Sequence, residues 1–252
     1  MAIVLITGTS TGIGKACADF FRARGDRVYG GGRKPDVRSD ESVSAVVSEI
    51  LEREGRIDIL INNAGIGIAG AVEDTSLEAA KEQFEVNFFG ALRMCGAVLP
   101  AMRAQRSGYI INIGSIAGLV AVPYQALYSA SKFALEGLSE GLRMETREFG
   151  IKVVLVEPGD HRTAFTQNRR KQAASEPYRE RFEAAVSRME KDEQNGPDPA
   201  GIARLIGKIV QNPNPRLRYT AGPLSQRIMV LLKRAKPYWV IEMIMKRYYS
   251  RS

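Results

Sequence analysis

Residues 2–14 read AIVLITGTSTGIG, and this stretch decides the fold. An unbroken apolar run is typical of a strand that is buried on both faces of a parallel sheet. The run leads into a turn that contains Gly8, Gly12 and Gly14, and a helix pattern follows. Glycine allows a tight bend and close approach to a ligand, and a helix start offers free N–H groups to an anion. The stretch therefore predicts a strand, a dinucleotide-binding turn and a helix in series.

Beyond this stretch, strand patterns alternate with helix patterns along the chain. We predict strands at 2–7, 27–31, 57–62, 109–115, 151–157 and 216–220. We predict helices at 13–24, 40–54, 77–104, 124–148, 165–191 and 198–211. This alternation predicts an α/β fold of the Rossmann-like kind, a doubly wound parallel sheet with helices on both faces.

The length of 252 residues and an apolar content of 44% suit a single domain. We assign residues 1–222 to a catalytic domain that binds the dinucleotide, with a substrate lid at about 160–197. Residues 223–252 form a basic, amphipathic helical extension at the carboxyl end.

Charge and cysteine usage narrow the class of protein. The whole formal excess of +8 lies in residues 216–252, where nine Lys or Arg residues accompany one acid. Because a nucleic-acid binder more often spreads basic residues over its fold, we expect no nucleic-acid partner. Cys17 and Cys95 fall within predicted helices, so we expect buried thiols rather than a disulfide. The start, MAIVLITG, lacks the features of an export signal, and we expect a cytoplasmic protein.

Three residues point to proton-transfer chemistry. Tyr128 and Lys132 stand four apart in YSASK, and Ser115 precedes them in INIGS. Residues four apart share one helix face, so the ammonium can sit beside the phenol and lower the pKa of the phenol from about 10 towards neutrality. A phenol tuned in this way exchanges protons at physiological pH. Ser115, at the carboxyl end of a strand, can hold the reacting oxygen.

These motifs together resemble the classical short-chain dehydrogenases/reductases, and the resemblance covers residues 1 to about 222. The family glycine motif appears as TGTSTGIG at 7–14, the NNAG motif at 62–65, and the PG motif as Pro158-Gly159. The resemblance implies hydride transfer between a nicotinamide and a CH–OH or carbonyl carbon. It implies four catalytic residues, which are Asn87, Ser115, Tyr128 and Lys132. Asn87 is expected to hold a water that links Lys132 to solvent.

The resemblance also implies which residues hold the cofactor and the substrate. For the cofactor we expect Gly8, Thr9, Ser10, Thr11, Gly12, Ile13, Gly14, Arg33, Lys34, Asp36, Val37, Asn63, Ala64, Gly65, Tyr128, Lys132, Pro158, Gly159 and Thr163. For the substrate we expect Ser115, Ile116, Tyr124, Gln125, Tyr128 and Phe165. The apolar and aromatic members favour a hydrophobic alcohol, ketone or aldehyde. The resemblance leans towards relatives that act on steroids or retinoids.

The end of the second strand predicts which cofactor binds. It reads YGGGRK, without the acid that NAD-preferring relatives place against the ribose hydroxyl. Arg33 suits a 2′-phosphate by forked hydrogen bonding, and Lys34 adds a point charge. We therefore expect NADP(H) rather than NAD(H), the alternative being two solvated loop cations. With His161 as the sole histidine and no cluster of ligands at metal spacing, we expect no metal.

The same segment departs from the family pattern. Only Arg33, Lys34 and Pro35 precede the Asp36-Val37 pair, where the family has a helix and a third strand. A parallel crossover needs a dozen or more residues, so the third strand cannot fit. We predict that strand two is the sheet edge, that Asp36 stays available to adenine, and that the adenine pocket is more open and binds more weakly.

The carboxyl tail alternates apolar clusters with Lys and Arg and is divided by Pro237. Its apolar runs are too short to span a bilayer. Two alternatives remain: the two predicted helices lie on an anionic membrane surface, or they pack onto the substrate pocket or a neighbouring subunit. We favour packing. The resemblance further implies a homodimer or homotetramer formed through the helices at 77–104 and 124–148.

Two other functions fit the same fold. One is a catalytically silent NADP-binding regulatory or scaffold protein, against which the intact Ser115, Tyr128 and Lys132 argue. The other is a dehydratase or epimerase, which the glycine spacing and the modest length disfavour.

Overall fold

The computed structural model describes residues 1–31 and 34–249. Its strands are β1 (Ile3–Ile6), β2 (Arg27–Tyr29), β3 (Ile59–Asn62), β4 (Ile68–Ala69), β5 (Gly108–Ile113), β6 (Ile151–Pro158), β7 (Arg170–Lys171) and β8 (Arg218–Ala221). Its α-helices are α1 (Gly12–Ala23), α2 (Asp40–Glu54), α3 (Leu77–Phe84), α4 (Gly90–Gln105), α5 (Ala126–Thr146), α6 (Phe165–Asn168), α7 (Arg179–Gln194), α8 (Ala200–Ile209), α9 (Leu224–Ala235) and α10 (Tyr238–Tyr249).

Six strands form one parallel sheet in the order β2-β1-β3-β5-β6-β8. The predicted doubly wound α/β fold is confirmed. Alternate residues of β1 face opposite sides of this sheet: Ile3 and Leu5 pack with α2 and α4, whereas Val4 and Ile6 pack with α1 and α8. Because both faces are covered, β1 is apolar at every position, as its sequence indicated.

The second strand lies at the edge of the sheet, as the short segment before Asp36 predicted. β2 pairs with β1, and no strand pairs with its outer side within residues 1–31 and 34–249. After β2 the backbone of Gly31 bonds to that of Lys34 in both directions, and Ser39 then caps α2. The chain thus passes from the second strand to the α2 turn without a crossover.

Two buried asparagines tie α5 to the sheet. Asn62 of β3 lies beside Asn112 of β5, and its Nδ2 donates to Asn112 Oδ1 at 2.9 Å. Asn112 Nδ2 in turn donates to Ser139 Oγ of α5 at 2.8 Å. A buried polar group without a partner is costly, so this chain of bonds fixes the position of α5 on the sheet.

Two predicted helices are interrupted in the structure. The helix expected at 77–104 contains a π-helical segment, Glu85–Phe89, between α3 and α4. The prediction of one continuous helix at 165–191 was wrong. After α6 the chain forms β7, whose backbone bonds to β4, and α7 begins only at Arg179. Pro177, which lacks an N–H group, lies just before α7 and favours this break.

The tail forms α9 and α10, which pack against the substrate side of the domain. Val230 and Ile241 are buried with Val120, close to Ile116. Among residues 1–31 and 34–249, the helices are all too short or too polar to cross a bilayer. Cys17 and Cys95 are buried free thiols as expected, and burial raises the pKa of each to about 12.

Candidate active site

The glycine turn between β1 and α1 is closely packed. A methyl group at Gly14 would overlap the carbonyl oxygen of Gly8, so this position requires glycine. Gly8 and Gly12 have positive φ angles of 69° and 58°. Because left-handed backbone favours glycine, both residues fit the bend that the sequence predicted.

The NNAG loop is fastened to this turn. Asn63 Nδ2 donates to the carbonyl oxygens of Thr7 and Gly8, each at 2.9 Å. Thr7 Oγ1 accepts from the backbone N–H of Asn63 at 3.0 Å and of Ala64 at 2.9 Å. The amide side chain of Asn63 therefore holds the shape of the turn.

The start of α1 fits an anionic dinucleotide. In the described part of the chain, the hydroxyl of Thr11 makes no capping bond and the first turn of α1 carries no acid. Uncapped N–H groups at a helix start bind phosphate well. A cleft of about 750 Å³ adjoins this end, lined by Ser10, Thr11, Gly12 and Thr163, among others. Thr163 lies against Gly12, whose added Cβ would be 3.2 Å from Thr163 Cβ.

Ser115, Tyr128 and Lys132 come together beyond the carboxyl end of β5. Ser115 follows this strand, and its Oγ accepts from the Ala117 N–H at 3.0 Å. Tyr128 and Lys132 lie one turn apart on α5, with Lys132 Nζ 5.8 Å from the centroid of the Tyr128 ring. Lys132 Nζ also donates to the carbonyl oxygen of Ile113 at 2.8 Å. The structure thus brings these three residues together, and their catalytic roles stay a prediction.

Burial dominates the protonation of this group. It raises the pKa of Tyr128 to about 12, while a hydrogen bond with Ser115 acts in the opposite direction. Burial also lowers the pKa of Lys132 to about 8. We expected a phenol with a pKa near neutrality, and the structure corrects this, because the same burial penalises the phenolate and the ammonium that would stabilise it.

Asn87 lies in the π-helical segment and is buried. Its Oδ1 accepts from the Ile66 N–H at 2.8 Å, and its Nδ2 donates to the Ile66 carbonyl at 3.0 Å and to Ser131 Oγ at 3.1 Å. An added Cβ on Gly65 would lie 3.3 Å from Asn87 Oδ1 and 3.9 Å from Lys132 Nζ. Asn87 therefore positions the loop beside Lys132, and its role in holding a water stays a prediction.

The expected substrate residues divide into two groups. Phe165 lies close to the reacting groups, with its ring centroid 5.5 Å from that of Tyr128. Besides Ser115 and Tyr128, which are themselves the reacting groups, the three remaining residues contact the lid or the tail. Tyr124 packs on Phe182 of α7, Gln125 Nε2 donates to Met189 of α7, and Ile116 packs with α9 and α10.

The PG motif closes the site at the end of β6. Gly159 N–H donates to the Ala221 carbonyl at 2.7 Å, next to Pro158. The ring of His161 donates from Nδ1 to the Gly159 carbonyl at 2.9 Å. Within residues 1–31 and 34–249, no three His, Cys, Asp or Glu residues are grouped to hold a metal ion.

The cofactor-selective segment is described in part. Arg33, our leading 2′-phosphate ligand, lies outside the described residues. Lys34 is exposed, five residues beyond the end of β2. Asp36, expected near adenine, forms a salt bridge with Arg38, with 2.8 Å between Asp36 Oδ2 and Arg38 Nη2. Val37 is buried against α4, where an added Cβ on Gly90 would be 2.8 Å from it.

A buried ion pair in the lid was not predicted. Arg169 Nη2 donates to Glu193, and its guanidinium lies 5.5 Å from the centroid of the Phe165 ring. Among the described residues, Arg169 Nε and Nη1 are buried without a hydrogen-bond partner. Glu193 also accepts from Thr166 Oγ1 at 2.6 Å. In the sequence these residues belong to a charge-rich stretch that solvated side chains would explain equally well.

Asp160 completes the acidic side of this group. Burial, with Glu193 nearby, raises its pKa to about 6, although Gln226 hydrogen bonds to its carboxylate. Arg169 and Glu193 act on Tyr128 in opposite directions: the guanidinium lowers the pKa of the phenol and the carboxylate raises it. The lid therefore contributes to the electrostatics of the reacting group.

The fold and this group of residues define a Rossmann-like oxidoreductase. A family model described as short chain dehydrogenase matches residues 31–174. The chain belongs to the short-chain dehydrogenase/reductase family, and it is an enzyme that acts on CH–OH groups.

The similarity to individual proteins supports membership of this family. The chain is 43% identical over 263 aligned residues to the 3-ketodihydrosphingosine reductase of Bacteroides thetaiotaomicron, with 98% of each chain covered. It is 36% identical to bovine retinol dehydrogenase 8 over 73% of this chain and 61% of the relative. Among solved structures, a short-chain dehydrogenase from Streptomyces avermitilis superposes with a TM-score of 0.83 at 31% identity, covering 100% of this chain and 98% of the other.

Proposed function

We propose that the protein is an NADP(H)-dependent oxidoreductase that interconverts a hydrophobic, lipid-like alcohol and its ketone or aldehyde. The observation that carries the proposal is that Ser115, Tyr128 and the buried Lys132 lie together beyond the carboxyl end of β5. A site that brings together a hydroxyl donor, a phenol and an amine suits proton transfer to a carbonyl oxygen. When bound, the nicotinamide supplies or accepts the hydride.

In the reducing direction, Tyr128 donates its proton to the substrate oxygen, and Ser115 donates a hydrogen bond to the same oxygen as negative charge develops there. Protonated Lys132 stabilises the phenolate that Tyr128 becomes. With a pKa of about 8, Lys132 can return a proton to the phenolate near neutral pH. The oxidising direction reverses these steps, with Tyr128 accepting the proton.

The substrate class rests on the surroundings of Tyr128 and on the relatives. Phe165 places an aromatic ring beside Tyr128. The names of the two relatives specify a long-chain amino ketone and retinol, and both of these are extended lipids. Steroids, retinoids and 3-ketodihydrosphingosine therefore form the substrate panel.

The choice of NADP(H) rests on the end of β2. The sequence there offers Arg33 and Lys34 and no acid, and two cations favour a 2′-phosphate over a ribose hydroxyl. The glycine turn, the Asn63 loop, Pro158-Gly159 and Thr163 form the remainder of the proposed cofactor site.

The domain division and the assembly are part of the same proposal. Residues 1–222 form the catalytic domain, and residues 223–252 form its extension. Large apolar side chains are exposed on the π-helical segment and on α4 and α5, namely Phe89, Leu92, Phe133 and Met144. Exposed apolar surface of this kind favours a homodimer or homotetramer. Sedimentation of the purified chain checks the assembly.

Titration of nicotinamide fluorescence with NADPH and with NADH, on wild type and Arg33→Ala, tests the cofactor. Tighter binding of NADPH that is lost in Arg33→Ala supports NADP(H), whereas equal affinity for both nucleotides contradicts it. Oxidation of NADPH with the lipid panel tests the reaction. Turnover that Tyr128→Phe abolishes supports the proposed chemistry, and nucleotide binding without turnover on any member contradicts the proposed substrate class.

A further inference from the structure

The helices α9 and α10 have an unusual outer face. On α9, Leu224, Ile228 and Leu231 follow one another at helical spacing, and each is exposed to solvent. On α10, Trp239 and Met243 stand four apart, and they are 65% and 57% exposed. Apolar stripes at this spacing normally face a protein core. Here they face outward.

The inner faces of the same helices already have partners. Val230 and Ile241 are buried at 5% and 2% exposure, together with Val120. Lys233 Nζ donates to the Leu119 carbonyl, and Gln226 bonds to Asp160. Packing against the domain, which we favoured from the sequence, therefore accounts for one side of each helix. It leaves the outer stripe unexplained.

The outer face is also positively charged. Among the described residues from 223 to 249, one exposed acid, Glu242, lies on these helices. Four exposed cations lie on the two helices and on the linker between them, namely Arg227, Lys236, Lys246 and Arg247. Apolar and aromatic side chains bordered by cations are typical of helices that lie in the interface of an anionic membrane.

We propose that the outer face of α9 and α10 docks on an anionic lipid bilayer. Each helix has 12 residues and spans only about 18 Å at 1.5 Å per residue, so the helices would lie on the bilayer instead of crossing it. Trp239 and Tyr238 would sit at the headgroup level, where aromatic rings are favoured.

A second copy of this chain fits the face less well. A two-fold interface would bring the same patch together from both subunits. Lys246 and Arg247 of each copy would then approach like charges, which is unfavourable. An anionic lipid surface has the complementary charge.

Docking would also orient the catalytic site. The inner faces of α9 and α10 pack on Ile116 and Leu119, in and just after the turn that follows Ser115. The substrate side of the domain would therefore be held at the membrane. This step rests on the proposed function, because it matters only for a lipid-like substrate.

Flotation of the full-length protein with vesicles tests the docking, without nucleotide or substrate. We expect flotation with phosphatidylcholine vesicles that contain phosphatidylserine, and much less with phosphatidylcholine alone. Trp239 is the single tryptophan of the chain, so its fluorescence should shift to the blue on binding and be quenched by brominated lipid. Since the assay needs no turnover, failure of the proposed reaction leaves its result standing.

Matched variants assign the binding to this face. The double variant Leu231→Gln, Trp239→Gln should lose flotation, whereas Val72→Gln, which changes an equally exposed apolar residue outside the two helices and outside the proposed subunit interface, should float like wild type. The double variant Lys246→Gln, Arg247→Gln should bind about 25-fold more weakly, as each cation near an anionic surface is worth about 1 kcal/mol, or about five-fold. Lys208→Gln is its control.

Three results would overturn the proposal. The first is an absence of flotation by wild type. The second is equal loss in the outer-face and control variants. The third is self-association in lipid-free sedimentation that Leu231→Gln, Trp239→Gln abolishes, since the face would then bind a second copy.

Discussion

Lys132 Nζ lies 5.8 Å from the centre of the Tyr128 ring and is buried at 5% exposure. The amine thus lies beside the reacting phenol, but its burial makes the charged form unfavourable. Burial lowers its pKa from 10.5 to about 8, which means that the folded state binds the proton less tightly than the unfolded state.

We predict that Lys132→Met abolishes turnover and yet stabilises the nucleotide-free protein. At pH 7 both states carry the proton, so the full penalty of the lowered pKa is present, up to about 3 kcal/mol at 1.36 kcal/mol per pKa unit. Between pH 8 and 10.5 the unfolded state binds more protons, and the wild-type free energy of unfolding should rise. Chemical denaturation at several pH values should show this rise in wild type alone; a less stable Lys132→Met would contradict the prediction.

The lid pair provides a test of the electrostatics at Tyr128. Arg169→Met should raise the pKa of Tyr128 further, and Glu193→Gln should lower it, because the two side chains act on the phenol with opposite sign. The pH profile of kcat/KM should move to higher pH in the first variant and to lower pH in the second. Shifts of both profiles in the same direction would mean that the variants act through altered packing of the lid.

Asn87 is predicted to be structural as well as catalytic. Asn87→Ala removes both bonds to the Ile66 backbone, and because the Ile66 carbonyl still accepts from Gln83, the Ile66 N–H is the group left unpaired. The free energy of unfolding should fall by about 1 to 3 kcal/mol, the cost of one buried polar group without a partner. Ser131→Ala removes a bond to Asn87 and keeps both bonds to Ile66, so it is the control. Equal stability of the two variants in urea denaturation would argue against this role.

Gly14 should tolerate no side chain. In Gly14→Ala the new methyl group would overlap the Gly8 carbonyl, so the turn must open, and we expect nucleotide affinity to fall by about a hundred-fold or more. Gly201→Ala on α8 meets no atom within 4 Å and should bind nucleotide like wild type. Fluorescence titration measures both affinities. Unchanged affinity in Gly14→Ala would show that the turn adapts without loss.

Local patterns in the sequence were sufficient for the framework. The strand, glycine turn and first helix are encoded within residues 2–14, and the spacing of Tyr128 and Lys132 depends on a single helix turn. The short segment after β2 was enough to predict the edge of the sheet, because chain length alone limits a crossover. Such features depend on residues close in sequence.

Other features were decided by tertiary structure. The pairing of Asn87 with Ile66 joins residues 21 positions apart, and the Arg169 and Glu193 pair joins residues 24 apart. The protonation of Tyr128 and Lys132 also follows from burial by several elements, which is why the expected low pKa of the phenol was wrong.

The tail shows the same division. Its sequence predicted two amphipathic helices, whereas only the folded chain shows that Val230 and Ile241 are covered and that Leu231 and Trp239 are not. The physical reason is general. Helix and strand periodicity depends on neighbours within a few residues, but the solvation of a charge or an apolar face depends on which distant segments pack against it.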